Sequence, residues 1–104
     1  MKSVERIEIV VDAVHVPEVL RALKRVGATG WSIVKGLEGA GDRGEQFADD
    51  VTGVTSNQLV QTTLEPALVP QLAALLEPLL ERVGGVFIAT PARAMVRTPR
   101  SRRG

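Results

Sequence analysis

The chain has 104 residues, with thirteen Lys and Arg against twelve Asp and Glu, one histidine and no cysteine. That length makes one domain with a modest core. The lack of cysteine removes disulfides, thiolate metal sites and thiol catalysis, and one histidine would leave a zinc site to be filled by carboxylates, so no metal is expected. The net charge of +1 hides a sharp division. Residues 1–81 hold all twelve carboxylates against seven cations, whereas residues 82–104 carry Arg82, Arg93, Arg97, Arg100, Arg102 and Arg103 and no acid. Arginine stays charged and offers a planar fork of donors, which suits phosphate or carboxylate. The aromatics are only Trp31, Phe47 and Phe87. That is a poor supply for stacking on single-stranded nucleic acid, so no nucleic-acid partner is expected. No apolar run approaches the ~18 residues of a membrane span, and Met1–Glu5 passes directly into a strand pattern without a signal-peptide core. A cytoplasmic protein with no membrane insertion is expected.

Residues 4–12 place Val4, Ile7, Ile9 and Val11 near a period of two and predict a strand. Pro17 stands as a first helical residue, and Val16, Val19, Leu20, Leu23 and Val26 form one helical face that Gly27 ends. His15 precedes this helix with no partner evident in sequence and reads as a turn histidine. Residues 29–35 predict a second strand. Residues 36–54 then break all periodicity, with five glycines and six charges. A loop this long in a compact domain is functional or disordered. Residues 55–64 predict a third strand and 66–83 a helix that Pro78 should bend or restart. Gly84-Gly85 ends it, 86–89 is a short fourth strand, and an extended segment after Pro91 covers 92–96.

The order β-α-β, long loop, β-α-β is the split βαβ, ferredoxin-like α+β arrangement, with helices on one sheet face only. Apolar residues occur at both parities in Ile9-Val10-Val11, Ile33-Val34 and Val86-Phe87-Ile88. The second sheet face is therefore partly apolar, which argues for burial in a closed oligomer. Residues 1–97 form the domain and 98–104 a basic tail.

Three stretches resemble the PII signal-transduction superfamily, small trimeric sensors with a ferredoxin-like subunit. They are Ala22–Ile33, the passage Lys35-Gly36-Leu37-Glu38-Gly39 at the start of the family's T-loop, and Gly84–Ile88 followed by Ala92-Arg93 and Arg97. The chain has no tyrosine to uridylylate and no lysine beyond Lys2, Lys24 and Lys35. Its link from second helix to last strand is short, and its C-terminal arginines sit about one residue out of the usual register. In these respects it resembles the PII-like proteins found beside carboxysome and bicarbonate-transporter genes.

That resemblance implies a homotrimer that binds ADP or AMP, rather than ATP, between subunits. It also implies that the protein senses a small anion such as bicarbonate. Phosphates need close backbone N–H groups and cations. Gly84 and Gly85, with Gly36 and Gly39, would supply the first, although Gly84-Gly85 is equally an ordinary helix stop. Arg97 and Arg100 would supply the second, with Arg93 next. By position in the family, Ser32, Ile33, Gln61 and Thr63 would meet the base, although they read equally as a solvated or interfacial strand face, with Lys35, Val86 and Phe87 completing the nucleotide set. Lys35, Arg43 and the amides of Gly39, Ala40 and Gly41 would hold the anion, although Lys35 at a strand end also reads as a solvated charge. A bicarbonate transporter or carboxysome-related protein would be met through residues 36–54. No nucleophile–base pair or metal spacing is visible, so no catalysis is expected. The competing readings are a PII-type nitrogen regulator, a basic-tailed nucleic-acid-binding module, and a small ferredoxin-like enzyme or metal-tolerance protein.

Overall fold

The computed structural model describes residues 1–36, 56–97 and 99. Four strands, β1 (Lys2–Asp12), β2 (Ser32–Val34), β3 (Asn57–Leu64) and β4 (Val86–Ala94), form one antiparallel sheet in the order β2-β3-β1-β4. Helices α1 (Val16–Val26) and α2 (Val69–Val83) link β1 to β2 and β3 to β4. This is the ferredoxin-like α+β subunit expected from the sequence. The register sets Ile9 between Val60 and Phe87, and Val10 between Leu59 and Val86.

The core lies between the sheet and the two helices. Ile7, Ile9 and Val11 alternate onto it from β1, with Val60 and Leu64 from β3. Val16, Val19, Leu23 and Val26 of α1 and Leu72, Leu76 and Leu79 of α2 close it at helical spacing. Arg82 and Glu18 pair at 3.1 Å across the helices, with both side chains substantially exposed.

Several boundaries differ from the sequence reading. β2 begins at Ser32 rather than at residue 29. The carbonyl of Gly30 accepts from the Thr62 side chain, so a side chain takes the place of a ladder contact there. Val16, not Pro17, opens α1, and a single 3-10 turn, Ala13–His15, precedes it. A matching 3-10 turn, Pro66–Leu68, separates β3 from α2. α2 runs through Pro78 without interruption. Pro78 is exposed, as is Ala74 one turn earlier, so the carbonyl deprived of its donor lies on the wet side of the helix. β4 likewise continues through Pro91 to Ala94. An edge strand pairs on one side only, so a residue without an N–H is tolerated where its nitrogen faces away from the neighbour.

Candidate functional site

The residues singled out by sequence fall into three places along the sheet. At one end lie Lys35 and Gly36, just beyond β2, and Gly84, Gly85 and Val86, at the start of β4. The register brings them to the same level, since Val34 pairs with Leu59, and Val10 with both Leu59 and Val86. Gly85 is fixed by packing: a Cβ there would stand 2.6 Å from the Val10 carbonyl oxygen and 3.0 Å from Leu80 and Val11 side chains, and its φ is +137°. Only glycine lets the α2–β4 link lie down on β1 so closely.

Mid-sheet, on the face away from the helices, Ser32 pairs in register with Gln61, and Gln61 with Glu8. The Gln61 amide donates to the Glu8 carboxylate at 3.4 Å. Ile33 and Phe87 have the opposite parity and pack against the core, so their side chains face the helix layer.

At the far end, a cleft of about 720 Å³ opens between the start of β1, the end of β3, the α1–β2 turn and the segment after β4. Thr63 and Arg97 line it, together with Lys2, Gly27, Ala28 and Thr29. The turn is built by the end of α1. Gly27 adopts a left-handed conformation, φ +95°. Its N–H donates to the Lys24 carbonyl at 3.1 Å, and the Ala28 N–H to the Leu23 carbonyl at 2.9 Å. This is a Schellman cap, and it directs Ala28 and Thr29 to the cleft wall. Lys2 pairs with Glu65 at 3.0 Å, both well exposed. With the Lys2 ammonium partly neutralised, Arg97 is the cation of the cleft wall that has no carboxylate within 4 Å among the described residues.

One chain therefore does not bring the whole predicted set together. Arg97 follows the last residue of β4 and Gly85 precedes its first. The nine extended residues of β4 alone hold them roughly 30 Å apart. Gly39, Ala40, Gly41, Arg43 and Arg100 lie outside the described residues. Lys2, Gly27, Thr29 and Glu65 were not placed in the site by sequence. Gly27 and Thr29 had a signal, a glycine stop with a hydroxyl two residues on. The Lys2–Glu65 contact joins residues 63 apart, and nothing local announces it.

A second cluster was missed as well. Asp12 accepts from the Val14 N–H at 3.0 Å and from the Ser56 hydroxyl at 2.7 Å, and the Ala13 N–H donates to the Ser56 carbonyl at 2.8 Å. The β1–α1 turn thus grips Ser56, just ahead of β3. The Val14 and Ser56 donors, aided by the nearby His15, hold the Asp12 carboxyl below its ordinary range against a small opposing effect of burial. Among the described residues no three His, Asp or Glu side chains gather as a metal-binding set, and no helix is long and apolar enough to cross a membrane.

The family model for nitrogen regulatory protein P-II matches residues 4–100. No curated protein matches the sequence. Among solved structures, CPII from Thiomonas intermedia K12 bound to ADP, AMP and acetate has a TM-score of 0.77 at 22% identity, with 91% of each chain covered. CPII, a nitrogen regulatory PII-like protein of the same organism, bound to ADP, AMP and bicarbonate, has a TM-score of 0.75 at 21% identity, covering 92% of this chain and 97% of the other. The B. subtilis GlnK–ATP complex has a TM-score of 0.64 at 14% identity, covering 88% and 84%. At such identities the structures speak for the fold, while the family match spans nearly the whole sequence, and the chain belongs to the P-II family.

Proposed function

We propose that this chain is a non-enzymatic PII-like sensor of adenine nucleotide. In this reading copies assemble as a trimer through the open sheet face. The nucleotide sits where the cleft of one copy (Thr29, Thr63, Arg97) meets the Lys35–Gly36 and Gly84–Val86 end of the next. The observation that carries it is the division of the predicted set between opposite ends of β4. Those groups can reach one ligand only if two chains supply them. The cleft volume of about 720 Å³ is in the range of small-molecule sites.

ADP or AMP is favoured over ATP because the α2–β4 link carries no lysine, the lysines of the chain being Lys2, Lys24 and Lys35. A small anion, bicarbonate first, biases the occupied state beside Lys35, and residues 36–54 carry that state to a partner in inorganic-carbon uptake or fixation. The ligands of CPII, ADP and AMP with acetate or bicarbonate, support this choice. An effector acts in such a scheme only through its different affinity for the states it selects.

Calorimetry with ADP, AMP and ATP, each with and without bicarbonate, tests the reading. ADP or AMP should bind more tightly than ATP, and bicarbonate should change that affinity. Arg97→Ala should weaken nucleotide binding about tenfold or more, the usual scale of a lost charge-assisted hydrogen bond, without changing the mass of the assembly in sedimentation. Indifference to all three nucleotides would remove the proposal, and ATP as the tightest ligand would return it to the nitrogen-regulator type.

A further inference from the structure

The open face of the sheet carries two kinds of surface in adjacent rows. One row is wholly apolar, with Val34, Leu59, Val10 and Val86 side by side. The next holds Ser32, Gln61, Glu8 and Ile88, and the one beyond it Thr63, Arg6 and Thr90. Val34, Val86 and Ile88 are 42%, 42% and 45% exposed in the isolated chain.

Glu8 is poorly served where it stands. Its side chain is 24% exposed, while that of Arg6 is 55% exposed. The carboxylate has a 3.4 Å contact from Gln61 and a 3.8 Å approach from Arg6. Both are long for hydrogen bonds, and an ionised carboxylate can accept about four. Arg6 has five donors and, among the described residues, only this loose contact to a carboxylate. The other cation of the face, Lys2 at its far end, is engaged by Glu65. Covering the apolar row would strip water from Glu8 as well. A carboxylate so buried is costly unless a cation with good geometry replaces the water.

We infer that the face is closed by further copies of this chain and that Arg6 of one copy reaches Glu8 of the next. The contact uses two different patches, so it is heterologous, and in the proposed trimer it closes into a ring, each copy giving one guanidinium and taking one. The apolar row supplies the adhesion. The charges set the rotation at which copies meet, because any other register buries Glu8 with only its long contacts to Gln61 and Arg6. The inference rests on the proposed assembly through this face and adds which residues fix its register.

Charge exchange tests it. Arg6→Glu and Glu8→Arg are made separately, each is checked for its fold by circular dichroism, and each is sized by sedimentation velocity alone and after mixing. Each variant alone should dissociate at concentrations at least tenfold above the wild type, since like charges then meet at every contact. The mixture should hold together at lower concentrations than either variant alone. In a mixed ring of three, two of the three contacts again join opposite charges. Variants that assemble like the wild type, or a mixture no more associated than its components, would overturn the inference, because pairing within one chain cannot be rescued by mixing. Should a reversal fail to fold, Arg6→Gln and Glu8→Gln take its place. Each should weaken assembly about threefold or more and the double variant no more than either. Additive losses, or none, would count against it. A wild type that is monomeric at every concentration removes the assembly itself, which is a different outcome from a wild-type assembly indifferent to these substitutions.

Discussion

The two halves of the chain pose the same structural problem twice and solve it with different chemistry. β1 leads through a 3-10 turn to α1, and β3 leads through a 3-10 turn to α2, with Asp12 and Glu65 at matching positions and Pro17 and Pro70 each second in their helix. Asp12 is short enough to cap its own turn, and it also takes the Ser56 hydroxyl. Glu65 makes no cap bond; Pro66 follows it, and its longer side chain reaches Lys2 beside the cleft. The helix ends differ too. Gly27 closes α1 and Gly84 closes α2, each at positive φ with nothing within 4 Å of a would-be Cβ, but the second half adds Gly85, which lies against the Val10 carbonyl. One methylene at the turn decides whether an acid supports its own backbone or a distant strand. Glycine is required in both halves for its dihedral angles, and in the second also for space.

The sharpest way to break this contrast is at the glycines. Gly85→Ala forces a Cβ into a backbone oxygen at 2.6 Å and a positive φ, where no flexible side chain can give way. A loss of about 3 kcal/mol or more in urea unfolding is expected. Gly27→Ala meets only the left-handed backbone penalty and should cost about 1–2 kcal/mol. Equal costs at the two positions would mean that the α2–β4 link can lift from β1.

The turns come next in size. Asp12→Ala removes a helix-turn cap and the Ser56 clasp, and should destabilise by about 1 kcal/mol. Glu65→Ala removes one exposed ion pair and should stay within about 0.5 kcal/mol. A larger loss at Glu65 in chemical denaturation would show that the two turns are not distinguished by their caps.

Most of the fold was legible because its signals are local. The periodicity of Ile7, Ile9 and Val11, the helical spacing of Val19, Leu23 and Val26, and the stop at Gly27 each show within one or two turns of chain. The errors share a cause: tertiary context overrode a local rule. Pro78 and Pro91 read as breaks, but an exposed helix face and a sheet edge absorb the missing N–H. Thr29–Trp31 read as strand, but Thr62 takes the Gly30 carbonyl. The candidate site was less legible than the fold. Thr63 and Arg97 were picked out and do share the cleft, yet Lys2 with Glu65 and Asp12 with Ser56 are pairs of ordinary surface residues until the sheet register joins them.

The finest test of the two-turn comparison is the pH dependence of Asp12. Its folded-state carboxyl is held below the ordinary value, first by the Val14 N–H and then by the Ser56 hydroxyl, with His15 adding a smaller attraction. A depressed folded value means that the unfolded chain takes up the proton first as pH falls. The stabilisation is therefore fully present above the unfolded value of about 3.9 and is lost as pH drops through the lower folded value. Asp12→Asn keeps an acceptor oxygen but cannot ionise, so the stability gap between wild type and variant should be constant from about pH 5 upward and narrow below about pH 4. Removing the hydroxyl with Ser56→Ala should reduce the gap without abolishing it, since the Val14 donor remains. A gap that is flat down to about pH 2 would mean that the ionised carboxylate contributes nothing to the turn. The clasp on Ser56 would then be an ordinary neutral hydrogen bond that either half of the molecule could have made.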